Sequence, residues 1–239
     1  MASDSNISHQ LKFLSSHWKI LTRGTPGDLS KSVLQKNHDY WSLWILTILG
    51  GSGIYGTTLG AWQGPEMALY VGIKLPFIVF ITLATNTLLN GILAQVLGSG
   101  LGFRQTLNAL LASFSLFSLI VGSLAPISLG MAIDTPGPDS EQAGQVHRSL
   151  LIFHTSLISF AGIISTKRLY GLLKDVCPGN AARKTLIAWL AGNLFAGAQI
   201  GFLLRPVFGH PGPKIEFLRP DMFAGNFYES VWWALKNLF

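Results

Sequence analysis

Five long segments of this chain contain no Asp, Glu, Lys or Arg, and this feature constrains the fold more than any other. They are Tyr40–Pro65, Leu75–Phe103, Gln105–Ile133, Ser149–Thr166 and Thr185–Leu204. Each is about long enough for a helix to cross roughly 30 Å of hydrocarbon at 1.5 Å per residue. Because lipid cannot hydrogen-bond backbone amides, such segments are expected to be helical. The sequence therefore predicts five membrane-spanning helices.

The composition agrees with a membrane protein. Only 12% of the 239 residues are charged and 49% are hydrophobic, whereas a soluble domain is about a quarter charged. The net charge of +6 is not gathered into one basic face, so we expect contact with membrane lipids and no nucleic-acid binding. The single cysteine, Cys177, excludes an internal disulfide, and its short basic loop predicts a free thiol on the solvent side.

The loops between the predicted spans differ in charge, and the difference predicts their orientation. The N-terminal segment and the loops after the second and fourth spans hold eleven basic and four acidic residues; the remaining loops and the C-terminal segment hold six and seven. Basic residues accumulate on the cytosolic side, so we expect a cytosolic N-terminus and an external C-terminus. The chain does not begin like a cleavable signal peptide, so we expect the first span to direct insertion. A bacterial inner membrane is favoured over a eukaryotic endomembrane.

The expected fold is all-α, a polytopic membrane helix bundle with five transmembrane helices and an amphipathic interfacial helix near each terminus. We expect a cytosolic segment at 1–39, a five-span domain at 40–208 and an external tail at 209–239. The expected spans are about 41–64, 69–97, 104–133, 148–170 and 185–206.

The two predicted interfacial helices lie at opposite ends of the chain. Within residues 5–23, spacings of three and four residues produce one apolar stripe: Ile7, Leu11, Leu14, Trp18 and Leu21. Lys12 and Lys19 fall largely off that stripe, so the helix is expected either to lie on the cytosolic leaflet or to pack against the bundle or a partner. In the tail, Asn226 followed by Glu229 predicts a helix cap, and the helix carries two interfacial tryptophans, Trp232 and Trp233.

The interiors of the spans contain small and polar residues that predict helix packing. Two glycine pairs have the GxxxG spacing, Gly56 with Gly60 and Gly197 with Gly201. Five polar residues are expected to form interhelical hydrogen bonds or, alternatively, a polar path: Asn86, Asn90, His154, Asn193 and Gln199. Lys74 lies about two turns inside the second span, where we expect it to extend to the outer headgroups; a buried functional lysine is the alternative.

No motif in the sequence predicts catalysis, a metal or a cofactor. His154 has no second His, Cys or carboxylate at ligand spacing on its own helix. The acidic loop 134–148 is interrupted by two prolines and lacks EF-hand spacing, so a solvated turn is favoured over a calcium site. Four residues near the outer face could gather around an anionic headgroup, where the arginines are expected to bind phosphate without transforming it: Arg205, His210, Arg219 and Asp221.

The stretch from Leu93 through the Gly98 turn and Arg104 to Ile127 resembles one region of the Yip family of five-span membrane proteins. In that family a short Gly-containing cytosolic turn between the second and third spans precedes an apolar helix that ends at proline. The resemblance covers about residues 40–205. It implies a non-catalytic membrane scaffold and carries over no catalytic residue. The long aromatic tail and the basic N-terminal helix depart from the family pattern.

These features together predict a non-catalytic integral membrane subunit or scaffold that organises a larger assembly through helix packing and interfacial helices. The expected partners are membrane lipids and other membrane proteins or copies of the same chain. Seven residues are the expected lipid or partner contacts: Lys12, Trp18, Lys19, Arg205, Arg219, Trp232 and Trp233. The alternative is a small transporter or channel with a polar path through spans two, four and five. An enzyme acting on lipids at the outer face is a third hypothesis.

Overall fold

A computed structural model of the chain describes residues 22, 30, 33, 34, 39–208 and 215–229. These residues form helices and loops, with no strand among them. Within residues 39–203 there are six α-helices: α1 (Asp39–Gly60), α2 (Pro65–Val96), α3 (Phe103–Ser123), α4 (Ala125–Asp134), α5 (Ala143–Val176) and α6 (Ala181–Leu203). A short 3-10 helix, Ala61–Gln63, follows α1. Of the two predicted interfacial helices, most of the first and the part of the second with Trp232 and Trp233 lie outside the described residues.

Five of these helices, α1, α2, α3, α5 and α6, are long and apolar enough to cross a membrane. This confirms the prediction of an all-α fold with five candidate spans. The predicted third span, 104–133, consists of two helices because α3 ends at Ser123 and α4 begins at Ala125. Pro126 lies in the first turn of α4, where a residue without a backbone N–H is tolerated and disfavours continuation of the preceding helix.

The helices are arranged around α1 and α2. Helix α1 packs against α2, α3 and α4, whereas α2 also contacts α3 and α6. Helix α5 contacts α3 and α6 and so completes the bundle on the other side. The hairpin between α1 and α2 turns at Gly64, whose φ of 124° favours glycine.

Two buried clusters fill the bundle. One contains Trp44 of α1, Leu110 of α3 and Trp189 of α6. The other contains Tyr55 of α1 and Val71 of α2, and it is covered by Phe208 and Ile215 from beyond α6. We call residues 204–208 and 215–229 the tail segment. Part of the tail segment is therefore packed against the helix core.

The chain before α1 also contacts the bundle. Ser30 donates a hydrogen bond to the Asp175 carboxylate at 3.0 Å, at the end of α5. Asn108 of α3 donates to the carbonyl of Val33 at 3.0 Å and accepts from Trp41 at 2.8 Å. Ser30 and Val33 are buried. These contacts lie after the predicted interfacial helix and fix the approach of the chain to the first span.

Candidate functional site

The first glycine pair lies where α1 and α2 approach most closely. A Cβ on Gly56 would meet the Val71 carbonyl oxygen at 2.6 Å, and one on Gly60 would collide with the carbonyl of Met67. Glycine is needed at both positions because no side-chain atom fits between the two backbones. The structure thus places both residues at a helix-packing contact.

A second tight crossing, between α1 and α3, was missed in the sequence. A Cβ on Gly51 would collide with the backbone of Ser118, and one on Gly122 would lie 2.7 Å from Cα of Gly51. The two glycines are on different helices, so no spacing rule connects them. The run Gly50-Gly51-Ser52-Gly53 was the available signal.

The two glycines of the other predicted pair, Gly197 and Gly201, have different surroundings. A Cβ on Gly197 would lie 3.7 Å from Cγ2 of Thr82, an ordinary contact with α2. A Cβ on Gly201 would have nothing within 4 Å among the described residues. Gly201 is therefore not a packing residue within this part of the chain, which corrects the sequence prediction.

Polar side chains of α2 and α6 meet in one interface, which we call the α2–α6 seam: Thr82, Asn86 and Asn90 on α2 with Trp189, Gly192 and Asn193 on α6. Asn90 donates from Nδ2 to Oδ1 of Asn193 at 3.4 Å. Trp189 donates from Nε1 to the carbonyl oxygen of Asn90 at 3.1 Å. The seam therefore contains interhelical hydrogen bonds of the kind that the sequence predicts for Asn90 and Asn193. Asn86 instead donates from Nδ2 to the Thr82 carbonyl oxygen of its own helix at 2.9 Å.

His154 lies apart from that seam. Its Nδ1 is 3.1 Å from the hydroxyl oxygen of Tyr55, which joins α5 to α1. The rings of Phe153 and Phe208 lie 5.3 and 6.0 Å from the imidazole centre. Both His154 and Tyr55 are buried, at 2% and 0% exposure. The pair is an aromatic contact that holds two helices and the tail segment together.

Gln199 has a third environment, because its Oε1 accepts a hydrogen bond from the backbone N–H of Phe227 at 3.1 Å. The five predicted intramembrane polar residues are thus divided. The structure brings together Asn86, Asn90 and Asn193, and it places His154 beside Tyr55 and Gln199 beneath the tail segment.

Lys74 is buried, which corrects the expectation that it extends to the headgroups. Only 1% of Lys74 is exposed. Its Nζ donates to the carbonyl oxygen of Pro206 at 2.8 Å and lies 5.1 Å from the centre of the Phe217 ring. The tail segment supplies both an acceptor and an aromatic face, so the ammonium is partnered inside the protein.

Arg205 also binds the tail segment. Its guanidinium contacts the Asp221 carboxylate at 3.5 Å and stacks 3.8 Å from the centre of the Phe202 ring. It further donates to the carbonyl oxygens of Phe202, Asp221 and Ala224 at 3.1, 3.2 and 3.4 Å. Arg205 and Asp221 come together as predicted, but the arginine's contacts are protein oxygens. Its role as a lipid or partner contact stays a prediction.

The remaining predicted contact residues are distributed as follows. Arg219 is half-buried in the tail segment. Asn226 caps the following turn by accepting the Glu229 N–H at 2.9 Å, which confirms the predicted cap. Six of the residues predicted to contact lipid, headgroups or a partner lie outside the described residues: Lys12, Trp18, Lys19, His210, Trp232 and Trp233.

Cys177 is buried, which corrects the prediction that its thiol lies on the solvent side. It packs at the end of α5 against the cluster that contains Leu172 and Trp189, and it is 7% exposed. Burial raises the pKa of its thiol. Among the described residues, no group of three or more His, Cys, Asp or Glu is placed to hold a metal ion.

No protein-family model, curated protein or solved structure matches this chain. The resemblance to the Yip family therefore stays a prediction from the residues, and the functional argument rests on the contacts above.

Proposed function

We propose that the protein is a non-catalytic subunit or scaffold of a larger membrane assembly, and that the outward face of α6 with the adjacent face of α5 is its contact surface. The observation that carries the proposal is the low burial of these two helices. In the apolar 18-residue stretch of each helix, the buried share is only 11% in α6 and 22% in α5. The corresponding share is 50% in the first span and 56% in α3.

The exposed face of α6 combines large and small residues. Leu194 and Phe195 are 66% and 60% exposed, and the open backbone at Gly201 lies two turns further along. A second helix approaches most closely where large side chains alternate with glycine, because packing contacts drive association within lipid. This pattern supports a partner helix at α6, either from another protein or from a second copy of the chain.

The polar side chains of the bundle bind other parts of the same chain, which supports a structural role. Lys74, Arg205 and Gln199 hold the tail segment, and His154 contacts Tyr55. Each group serves a contact between parts of the same chain. In this proposal the N-terminus is cytosolic and the C-terminus is external, which the charge distribution of the loops supports. The proposal also includes an interfacial helix in each terminal segment and a location in a bacterial inner membrane. A Yip-like scaffold is consistent with this arrangement.

The test is site-specific photo-crosslinking in native membranes. A benzophenone side chain at Leu194 is expected to yield a discrete protein adduct, which mass spectrometry identifies as a partner or as a second copy. The matched control is Leu88 of α2, which is 60% exposed and lies outside the proposed surface. Faint adducts of equal yield at both positions would show that lipid alone covers α6 and would overturn the proposal.

A further inference from the structure

The end of the tail segment lies beside α6, below the level at which that helix ends. The backbone N–H of Phe227 donates to Oε1 of Gln199 at 3.1 Å, and the Tyr228 hydroxyl donates to the carbonyl oxygen of Phe195 at 3.0 Å. Gln199 and Phe195 come six and ten residues before Arg205, the first charged residue after the span. At 1.5 Å per residue, they lie about 9 and 15 Å below it along the helix axis. One leaflet contributes about 15 Å of hydrocarbon, so both positions fall within one leaflet.

The chain descends to this depth from the level of Arg205. The Arg205 guanidinium donates to the carbonyl oxygens of Asp221 and Ala224 at 3.2 and 3.4 Å, which holds those two residues at the end of α6. The chain then passes Gly225, whose φ of 76° favours glycine. Two residues later it meets α6 again, now below Arg205. Residues 221–229 therefore leave the end of the span and return alongside it.

The polar groups of this returning chain are satisfied by the protein. Backbone outside a continuous helix is tolerated in hydrocarbon only where protein groups supply its hydrogen bonds, and a helix start leaves N–H groups without helical partners. A helical turn begins at Phe227. Gln199 accepts the N–H of Phe227, and Asn226 accepts that of Glu229 at 2.9 Å. The Glu229 carboxylate reaches back along the chain, because its Oε2 would lie 3.5 Å from a Cβ on Gly225.

The aromatic side chains of residues 221–229 lie on the outside of the bundle. The ring of Tyr228 stacks on that of Phe195 with centroids 5.0 Å apart, and Phe195 itself is 60% exposed. The returning chain thus covers a face of α6 that points away from the other helices. Phe223 is 80% exposed and Tyr228 is 39% exposed. Aromatic rings are favoured where headgroups meet hydrocarbon, so these two side chains fit a lipid environment.

We propose that residues 221–229 form a re-entrant loop that inserts into the leaflet beside the end of α6 and contacts phospholipid acyl chains through Phe223 and Tyr228. Gln199 is a positioning residue for this loop, because its amide oxygen replaces water as the acceptor for the Phe227 N–H. The inference rests on the membrane location in the proposed function, and it does not depend on a partner at α6.

The test uses the purified, unaltered full-length protein in phosphatidylcholine vesicles that contain a phospholipid with a photoactivatable diazirine halfway along one acyl chain. After illumination, tandem mass spectrometry locates the lipid adducts. Adducts are expected within 221–229 and at Leu88 of α2, which is 60% exposed and lies in a charge-free span. Asp139 is exposed in the loop between α4 and α5, at the same side of the bundle as the end of α6, and is expected to stay unlabelled.

Two results of this experiment would overturn the inference, and they have different meanings. Adducts at Leu88 without adducts in 221–229 would show that the loop stays in water or on the headgroups, and would leave the proposed function intact. Absence of adducts at both places would contradict the membrane location, and with it the proposed function.

The role of Gln199 is tested with Gln199→Leu, which keeps a side chain of similar size but removes the acceptor. The Phe227 N–H then has no acceptor on α6, so the adduct yield within 226–229 is expected to fall by roughly half or more, with the yield at Leu88 unchanged. Gln145→Leu, at an exposed position near the start of α5, is the matched control and should label as the unaltered protein does. An unchanged yield within 226–229 in folded Gln199→Leu would overturn the positioning role.

Discussion

Lys74 of α2 and Pro206 of the tail segment are joined by a 2.8 Å hydrogen bond from Nζ to a backbone carbonyl oxygen, although 132 residues separate them in sequence. The ring of Phe217 covers the same ammonium, and Tyr70 contacts that ring with centroids 5.3 Å apart. A charge that would otherwise extend to water is thus enclosed by the chain that follows the last span. This contact makes the tail segment part of the helix bundle.

Replacing Lys74 is therefore expected to loosen the tail segment. Lys74→Met keeps an unbranched apolar chain but removes the donor to Pro206, and a hydrogen bond to a charged group contributes about 1.5–3 kcal/mol. Hydrogen exchange measured by mass spectrometry should show amides within 215–229 exchanging roughly tenfold faster, because about 1.4 kcal/mol corresponds to one decade.

Lys174→Met is the control for this prediction. Lys174 is exposed and lies 5.5 Å from the Tyr170 ring at the opposite end of the bundle, so its loss should leave exchange in the tail segment unchanged. Equal exchange rates in Lys74→Met and the unaltered protein would show that the tail segment is held without Lys74.

Gly56→Ala is expected to destabilise the bundle because its methyl group would collide with the backbone of Val71 and Gly72. Forcing one extra carbon into a packed interface costs about 1–3 kcal/mol. Gly50→Ala is the matched control on the same helix, since a Cβ there has nothing within 4 Å. The melting temperature measured in mild detergent should be well below that of Gly50→Ala for Gly56→Ala. Equal melting temperatures would contradict the close α1–α2 contact.

Alkylation of Cys177 should be slow and should require a higher pH than alkylation of an exposed thiol. Burial raises the pKa of this thiol, so less of the reactive thiolate is present at any given pH. The measurement is the rate of N-ethylmaleimide labelling as a function of pH. The control is a single exposed cysteine nearby, Asn180→Cys in a Cys177→Ser background. If Cys177 reacted as fast as Cys introduced at position 180, its burial would be refuted.

The raised pKa of the Cys177 thiol also makes the stability of the fold depend on pH. The folded protein keeps the Cys177 proton at a pH where the unfolded chain, with a thiol pKa of about 8.5, releases it. The contribution of this group to stability is thus complete below about pH 8.5 and decreases as the pH rises toward the raised folded pKa. Cys177→Ser should lack this component of the pH dependence.

The number of candidate spans and their helical type were predictable because each span must satisfy its own backbone hydrogen bonds in lipid. The Asn226 cap was also predictable, because it is a local contact between residues that are three apart in sequence. The roles of Lys74 and Cys177 were not predictable, because the partners of Lys74 are 132 and more residues away and Cys177 is buried by side chains from other helices. Gly201 was assigned to packing by its spacing, but a Cβ there has nothing within 4 Å among the described residues, because spacing within one helix does not say where a neighbouring helix lies.

The sequence by itself determined the all-α class and the five candidate spans, because local composition and length govern which segments can cross a bilayer as helices. The tertiary structure alone decided which polar groups meet. It brings Asn86 and Asn90 to face Gly192, places His154 against Tyr55, and packs the tail segment over Lys74. These pairings depend on the mutual rotation and register of helices distant in sequence, which periodicity within a single helix does not encode.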